Sequence, residues 1–167
     1  MKKTTKLFFL STILLFLFNC KSEVQREYIK EPCPEDVKLS AEKIKKDLVE
    51  KGFEIFDYVD EKTGDTIIMQ QYFIAFLKTG KNRSQPEDEL ENLQAKHLAH
   101  LSKMYELGYA DISGPFGDNG DIRGITIYNV PTLKMADSLA NSDPMVKAGR
   151  LEIELHPWWA VKGFMLR

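Results

Sequence analysis

The side chains best able to move protons near neutral pH are three histidines. His97 lies in "AKHLAHLSKM". At ~100° per residue, Leu90, Leu93, His97, Leu101 and Met104 fall on one stripe of a helix. His97 therefore points inward with apolar neighbours. Two readings stay open: a core histidine bonded to backbone, or a proton-transfer group in a cleft. His100 sits at the edge of the stripe and reads as a half-exposed surface residue. The i, i+3 spacing of the two can chelate a metal, but no Glu or Cys nearby completes a ligand set. His156 precedes Pro157 and Trp158 and alternates with Glu152 and Glu154, so the three share one strand face. That face lines a pocket or meets solvent.

Asp143 stands before Pro144. An Asp followed by Pro suits the N-cap and first position of a short helix, "DPMVKAG". Ser113-Gly114-Pro115 closes a strand. Gly114 permits close backbone approach, and N–H groups there can hold an anionic oxygen. Trp158 and Trp159 can wall an apolar ligand site or plug an interface; interface or core packing is the simpler role. No G-x-S-x-G supplies a nucleophile elbow. "GDNGD" lacks the Glu of a calcium loop and reads as a hairpin turn. There is no C-x-x-C and no cofactor motif, so neither a zinc knuckle nor a bound cofactor is expected.

These residues need elements to hold them. "LSAEKIKKDLVEKG" predicts a helix capped by Ser40 and ended at Gly52. Residues 53–79 predict a hairpin turning at "EKTGDT", with Phe53, Ile55 and Phe56 as its apolar positions and its second arm opening the main domain. "SQPE", Ser84 to Glu87, has the form of a capping box. Its helix runs to about Leu107 and closes at Gly108. Strands follow near 109–113 and 123–130, then a helix near 132–141, then the strand "RLEIELHPW". The order β-α-β-β-α-β is ferredoxin-like, an α+β fold. Helices on one face leave the other to be covered. Its polar alternation suits a wet pocket or a dimer cavity.

The chain has 167 residues and a net charge of −2. That is enough for one domain plus a tail, and a core of this size needs no disulfides. No basic cluster is interleaved with aromatics, which argues against a nucleic-acid partner. Lys2, Lys3 and Lys6 precede the apolar run Leu7 to Phe18, the form of a signal peptide and too short for a comfortable transmembrane helix. The run stops at Asn19-Cys20, and Leu17 three places before the cysteine resembles a bacterial lipobox. Cys20 is the expected lipid attachment site, with an uncleaved anchor as the alternative. Two or more acyl chains anchor firmly where one is marginal. The charged, proline-containing stretch after it reads as a tether. Cys33 within it reads as a bland exposed thiol. The expected divisions are 1–19 signal peptide, 20–38 tether, 39–70 helix and hairpin extension, and 71–162 the main domain.

The phrases "KHLAHLSKMYELGY", "ISGPFGDNGDIRGITIYNV" and "SDPMVKAGRLEIELHPWW" together resemble the YCII-related family over about 72–161. The resemblance implies a homodimeric ferredoxin-like α/β barrel whose sheets face each other around a cavity. It implies a His–Asp pair in each subunit, carried here by His97 and Asp143. Ser113, Gly114, Arg123, His156 and Trp158 are the expected substrate-binding residues. A few family members act on aromatic ring compounds, one as a dehydrochlorinase. The expectation is a cofactor-free enzyme performing elimination or isomerisation on a small cyclic or aromatic compound, lipid-anchored on the periplasmic side of a bacterial envelope, with the outer membrane favoured. The alternative is an envelope lipoprotein that binds a small molecule without turning it over.

Overall fold

The computed structural model describes residues 40–164 and 166. The expected signal peptide and the whole of the expected tether, with Cys20 and Cys33, lie outside the described residues. The elements are α1 (Ala41–Glu50), β1 (Ile55–Val59), β2 (Thr66–Thr79), α2 (Glu87–Glu106), β3 (Ala110–Pro115), β4 (Ile122–Tyr128), α3 (Leu133–Ala140), α4 (Pro144–Lys147) and β5 (Leu151–Val161).

The sheet is antiparallel throughout. β5 pairs β2 along one edge, and β4 then β3 follow on the other. The order β5-β2-β4-β3 is that of a ferredoxin-like α+β fold, as the sequence predicts. β1 is an addition. It pairs with residues 66–70 of β2, on the same edge as β4 but beyond its reach. β5 continues past Pro157 to Val161, longer than predicted. Proline is tolerated there because β5 is an edge strand and its outer N–H positions have no ladder partner.

The core lies between the sheet and the helices. Phe73, Ala75 and Tyr128 pack with Met104 of α2 and with Ala136 and Ala140 of α3. Leu77 and Leu151 pack with Met145 of α4 and with Leu90 and Leu93 of α2. Each large apolar side chain buried this way stabilises the fold by ~1.5–3 kcal/mol. The central strand changes its buried side along its length. Ile68, Gln70 and Tyr72 are buried in its first half, and Phe73, Ala75 and Leu77 in its second. α2, α3 and α4 cover the odd-numbered residues of the second half. At the other end Lys45 of α1 bonds Asp57, 2.8 Å away. Asp57 lies opposite Ile68 in the ladder, so α1 reaches the even-numbered side. The N-terminal helix therefore covers sheet surface that the other helices leave bare.

Local signals explain most boundaries. The Ser40 hydroxyl accepts from Lys43 N–H at 3.3 Å and caps α1, as predicted. Gly52 follows α1 with φ +81°, a region favouring glycine. The Thr132 hydroxyl caps α3. The capping box at "SQPE" does not form. α2 begins at Glu87 behind an extended Pro86, and the Ser84 hydroxyl bonds Asn82 instead, at 2.9 Å. Three acidic residues in the first turn, Glu87, Asp88 and Glu89, complement the helix dipole in place of a cap. The apolar alternation expected for the first hairpin arm is also weak: Ile55 is half-buried, and Phe56 is exposed against Trp159 at 5.0 Å.

Candidate active site

α2 carries His97 on its buried stripe, between the half-buried Leu93 and Leu101. The imidazole is 8 % exposed. The partner comes from α4. Asp143 is the N-cap of that helix, as its position before Pro144 predicts, and its Oδ1 accepts from Met145 N–H at 2.8 Å. Its Oδ2 lies 2.6 Å from His97 Nδ1. A carboxylate can only accept here, so Nδ1 carries the hydrogen and Nε2 presents a lone pair. Among the described residues nothing hydrogen-bonds Nε2. Asp143 is itself 3 % exposed, so both groups are held in a low-dielectric setting with their geometry fixed from two sides.

His97 opens onto a cleft of about 780 Å³. Leu90, Leu98, Leu101 and Met145 form apolar wall, and Gly114, Pro115 and Gly124 form the strand side. Gly124 has to be glycine, because a Cβ there would lie 2.6 Å from the Gly114 carbonyl oxygen. The "GDNGD" stretch lies in the turn between β3 and β4, as predicted. Asp118 accepts from Gly120 N–H at 2.9 Å, and Arg123 Nη1 donates to Gly120 O at 3.1 Å, which steadies Arg123 at the rim.

Of the predicted site residues, His97, Gly114 and Arg123 meet at this cleft, with Asp143 behind His97. The others lie elsewhere. The Ser113 hydroxyl pairs with Thr126 Oγ1 at 3.0 Å and is not part of the cleft wall. His156 and Trp158 stand opposite Ile74 and Tyr72 on the even-numbered face of the sheet, while Leu77 and Leu151 of the cleft stand on the odd-numbered face. On that second face His156 Nε2 lies 2.8 Å from Glu154, and Lys78 reaches Glu154 at 3.0 Å. The Glu154 carboxyl is held below its usual range by the bonds from His156 and Lys78. Phe76 meets His156 edge-on at 5.7 Å, and Tyr72 packs against Trp158 at 6.2 Å. His156, Glu152 and Glu154 are all exposed in the single chain. The second face is also less polar than predicted, since half-buried Ile74 and Phe76 share it.

His100 is more enclosed than a surface reading allows. Its Nε2 is buried without a partner, and burial holds its pKa below the ordinary value. The buried Tyr128 hydroxyl is raised, first by burial and then by the Asp143 charge, which keeps it protonated. Among the described residues there is no cluster of His, Cys, Asp or Glu able to hold a metal ion.

Two cleft residues were not singled out from sequence. Arg83 follows the central strand and Arg150 immediately precedes the last one; only the pairing of β2 with β5 brings them together.

No curated protein matches the chain. Among solved structures it is similar to the 5-chloro-2-hydroxyhydroquinone dehydrochlorinase of Burkholderia phenoliruptrix AC1100, in complex with 2,5-dihydroxybenzoquinone. Identity is 22 % and the TM-score 0.40, over 52 % of this chain and 92 % of that one. Residues 72–158 match the YCII-related domain, from the middle of the central strand through Trp158, with both α2 and α4 inside the match. The match spans more than half of the chain, and the chain belongs to the YCII-related domain family.

Proposed function

We propose that the protein is an enzyme that uses His97 and Asp143 to transfer protons on a small cyclic or aromatic compound, in an elimination or isomerisation. The observation that supports this best is the 2.6 Å contact of His97 Nδ1 with Asp143, which leaves Nε2 free on a half-apolar cleft. Nε2 takes a proton from a substrate carbon. The C–H electron pair becomes a new double bond, and a leaving group departs with its own pair or a second carbon is reprotonated by His97. Asp143 stabilises the imidazolium in between. Such chemistry needs proton transfers alone, so it calls for no cofactor. Deuterium exchange from D₂O into hydroxylated quinones and cyclic β-dicarbonyls, followed by NMR, tests it. His97→Gln should slow exchange by ~10²–10⁴-fold. Tight binding with no His97-dependent exchange for any of these compounds would favour the second reading, a small-molecule binding protein. That reading draws on the same cleft.

In this reading the protein works as a homodimer at a bacterial membrane, held by lipid on Cys20. The exposed second sheet face, where Phe76 and Trp158 lie, supports self-association. Light scattering of the detergent-solubilised chain should give twice the chain mass after micelle correction, and a strict monomer would count against it. Cys20→Ala should leave the membrane fraction or run at precursor mass; a membrane-bound variant of wild-type mass would count against lipidation.

A further inference from the structure

Three guanidinium groups line the cleft that His97 opens onto: Arg83, Arg123 and Arg150. We propose that the cleft takes an anionic ring compound, with a carboxylate or phenolate oxygen held by Arg83 and Arg150 and Arg123 at the rim. This rests on the proposed function for the location of the reacting carbon, and on the arginines alone for the charge.

The arginines are placed by backbone. The Arg83 loop is bonded to the segment before β5 at several points. Gly80 N–H donates to Arg150 O at 2.9 Å, and Asn82 N–H donates to Gly149 O at 3.0 Å. The Asn82 amide donates to Ala148 O at 3.0 Å. Gly80 must lack a side chain, since a Cβ would run into the Gly149 carbonyl. Arg83 Nη1 then donates to Arg150 O at 3.3 Å, and Arg150 Nη1 donates to Gln85 Oε1 at 3.2 Å. Each guanidinium has five N–H donors, so these single bonds orient the forks and leave most donors free.

The three guanidinium groups are unpaired. Among the described residues none of the three arginines makes an ion pair. Glu87 and Glu91 also line the cleft, and neither pairs with an arginine. Burial, and then the neighbouring Arg83 charge, lowers the Arg150 pKa. Structural arginines commonly spend their charge on a carboxylate. Two left close together beside a titratable pair suit bidentate capture of an anionic oxygen. The apolar wall of Leu90, Leu98 and Leu101 then receives the ring.

The test is a ¹⁹F NMR titration of the full chain in detergent with 4-fluorobenzoate and its neutral isostere 4-fluorobenzamide. Fluorobenzoate should bind at least about tenfold more tightly, and more weakly as salt rises. Arg83→Gln and Arg123→Gln, both at exposed positions, should each weaken fluorobenzoate and leave fluorobenzamide unchanged. Equal affinity for the two probes, no binding of fluorobenzoate, or unaltered fluorobenzoate binding in Arg83→Gln would overturn the proposal. His97→Gln should keep the benzoate preference. Loss of His97-dependent exchange with the preference intact would therefore sink the enzymatic reading alone.

Discussion

Asp143 joins His97 to the start of α4: one carboxylate oxygen caps that helix at Met145 N–H, and the other lies 2.6 Å from His97 Nδ1. A single side chain thus fixes a helix start and an imidazole orientation together. Because both its oxygens are used, Asp143 has little freedom to turn. The two functions suggested by its sequence context, cap and histidine partner, occupy different oxygens and do not compete.

The first prediction follows from that division of labour. ¹⁵N-detected NMR of His97 should find the hydrogen on Nδ1 and a bare Nε2. In Asp143→Asn the amide oxygen can still cap α4, while the amide NH₂ turns toward the imidazole as a donor. Nδ1 must then accept, and the hydrogen moves to Nε2. The variant should fold, keep its cleft and lose proton-transfer capacity by ~10²–10⁴-fold. Asp143→Ala loses the cap as well and leaves a buried imidazole N–H unpaired, so it should be destabilised by about 2–5 kcal/mol. Wild-type-like ¹⁵N shifts in Asp143→Asn would show that the carboxylate does not set the tautomer.

A second prediction concerns the cleft floor. In Gly124→Ala the new Cβ would stand 2.6 Å from Gly114 O and 3.2 Å from Pro115 Cα. Both are backbone atoms of the paired strand, so β3 and β4 must separate locally. The expected loss is ~1–3 kcal/mol, read as a lower denaturant midpoint. Gly117→Ala, in the turn between the same strands, meets nothing within 4 Å and should stay near wild type. Equal midpoints for the two variants would refute the packing argument.

The parts of this site legible in sequence were those that local rules decide. The 3.6-residue stripe placed His97 inside, and Asp143 before Pro144 declared a helix start. Neither rule says that α4 ends beside α2; the family resemblance supplied that pairing. Strand alternation put Glu152, Glu154 and His156 on one face correctly, but could not say that this is the face away from His97. Arg83 and Arg150 were invisible for a related reason. They lie 67 residues apart and meet only because β5 pairs with the central strand. The capping box failed because S-x-x-E is a four-residue pattern, while Asn82, anchored to Ala148, competes for the Ser84 hydroxyl. The side switch along β2 depends on which helix covers which half, and a period-2 pattern carries no such information.

The last prediction is a pH dependence carried by His100. In the folded protein burial holds its pKa below the ordinary 6.5, and the Lys147 charge, joined by His97 when that ring is protonated, acts in the same sense. Asp143 and a backbone bond with Leu139 oppose them, but the net direction is downward. The unfolded chain therefore binds the His100 proton first as the solution is acidified. Stability rises with pH wherever the unfolded state holds more protons. The His100 contribution is thus complete above about pH 6.5 and is lost as pH falls from there toward its folded pKa. His100→Gln keeps a polar side chain of similar reach and removes the titration. Denaturant midpoints of the two proteins, taken from pH 8 down to about pH 5, should run parallel at the alkaline end and converge on acidification, the wild type falling faster. Because carboxylates lose their charge in both proteins alike, the difference between the curves isolates the histidine. A wild-type curve that falls no faster than that of His100→Gln below pH 6.5 would show that His100 takes up its proton as readily folded as unfolded, and that its unpartnered Nε2 is open to water after all.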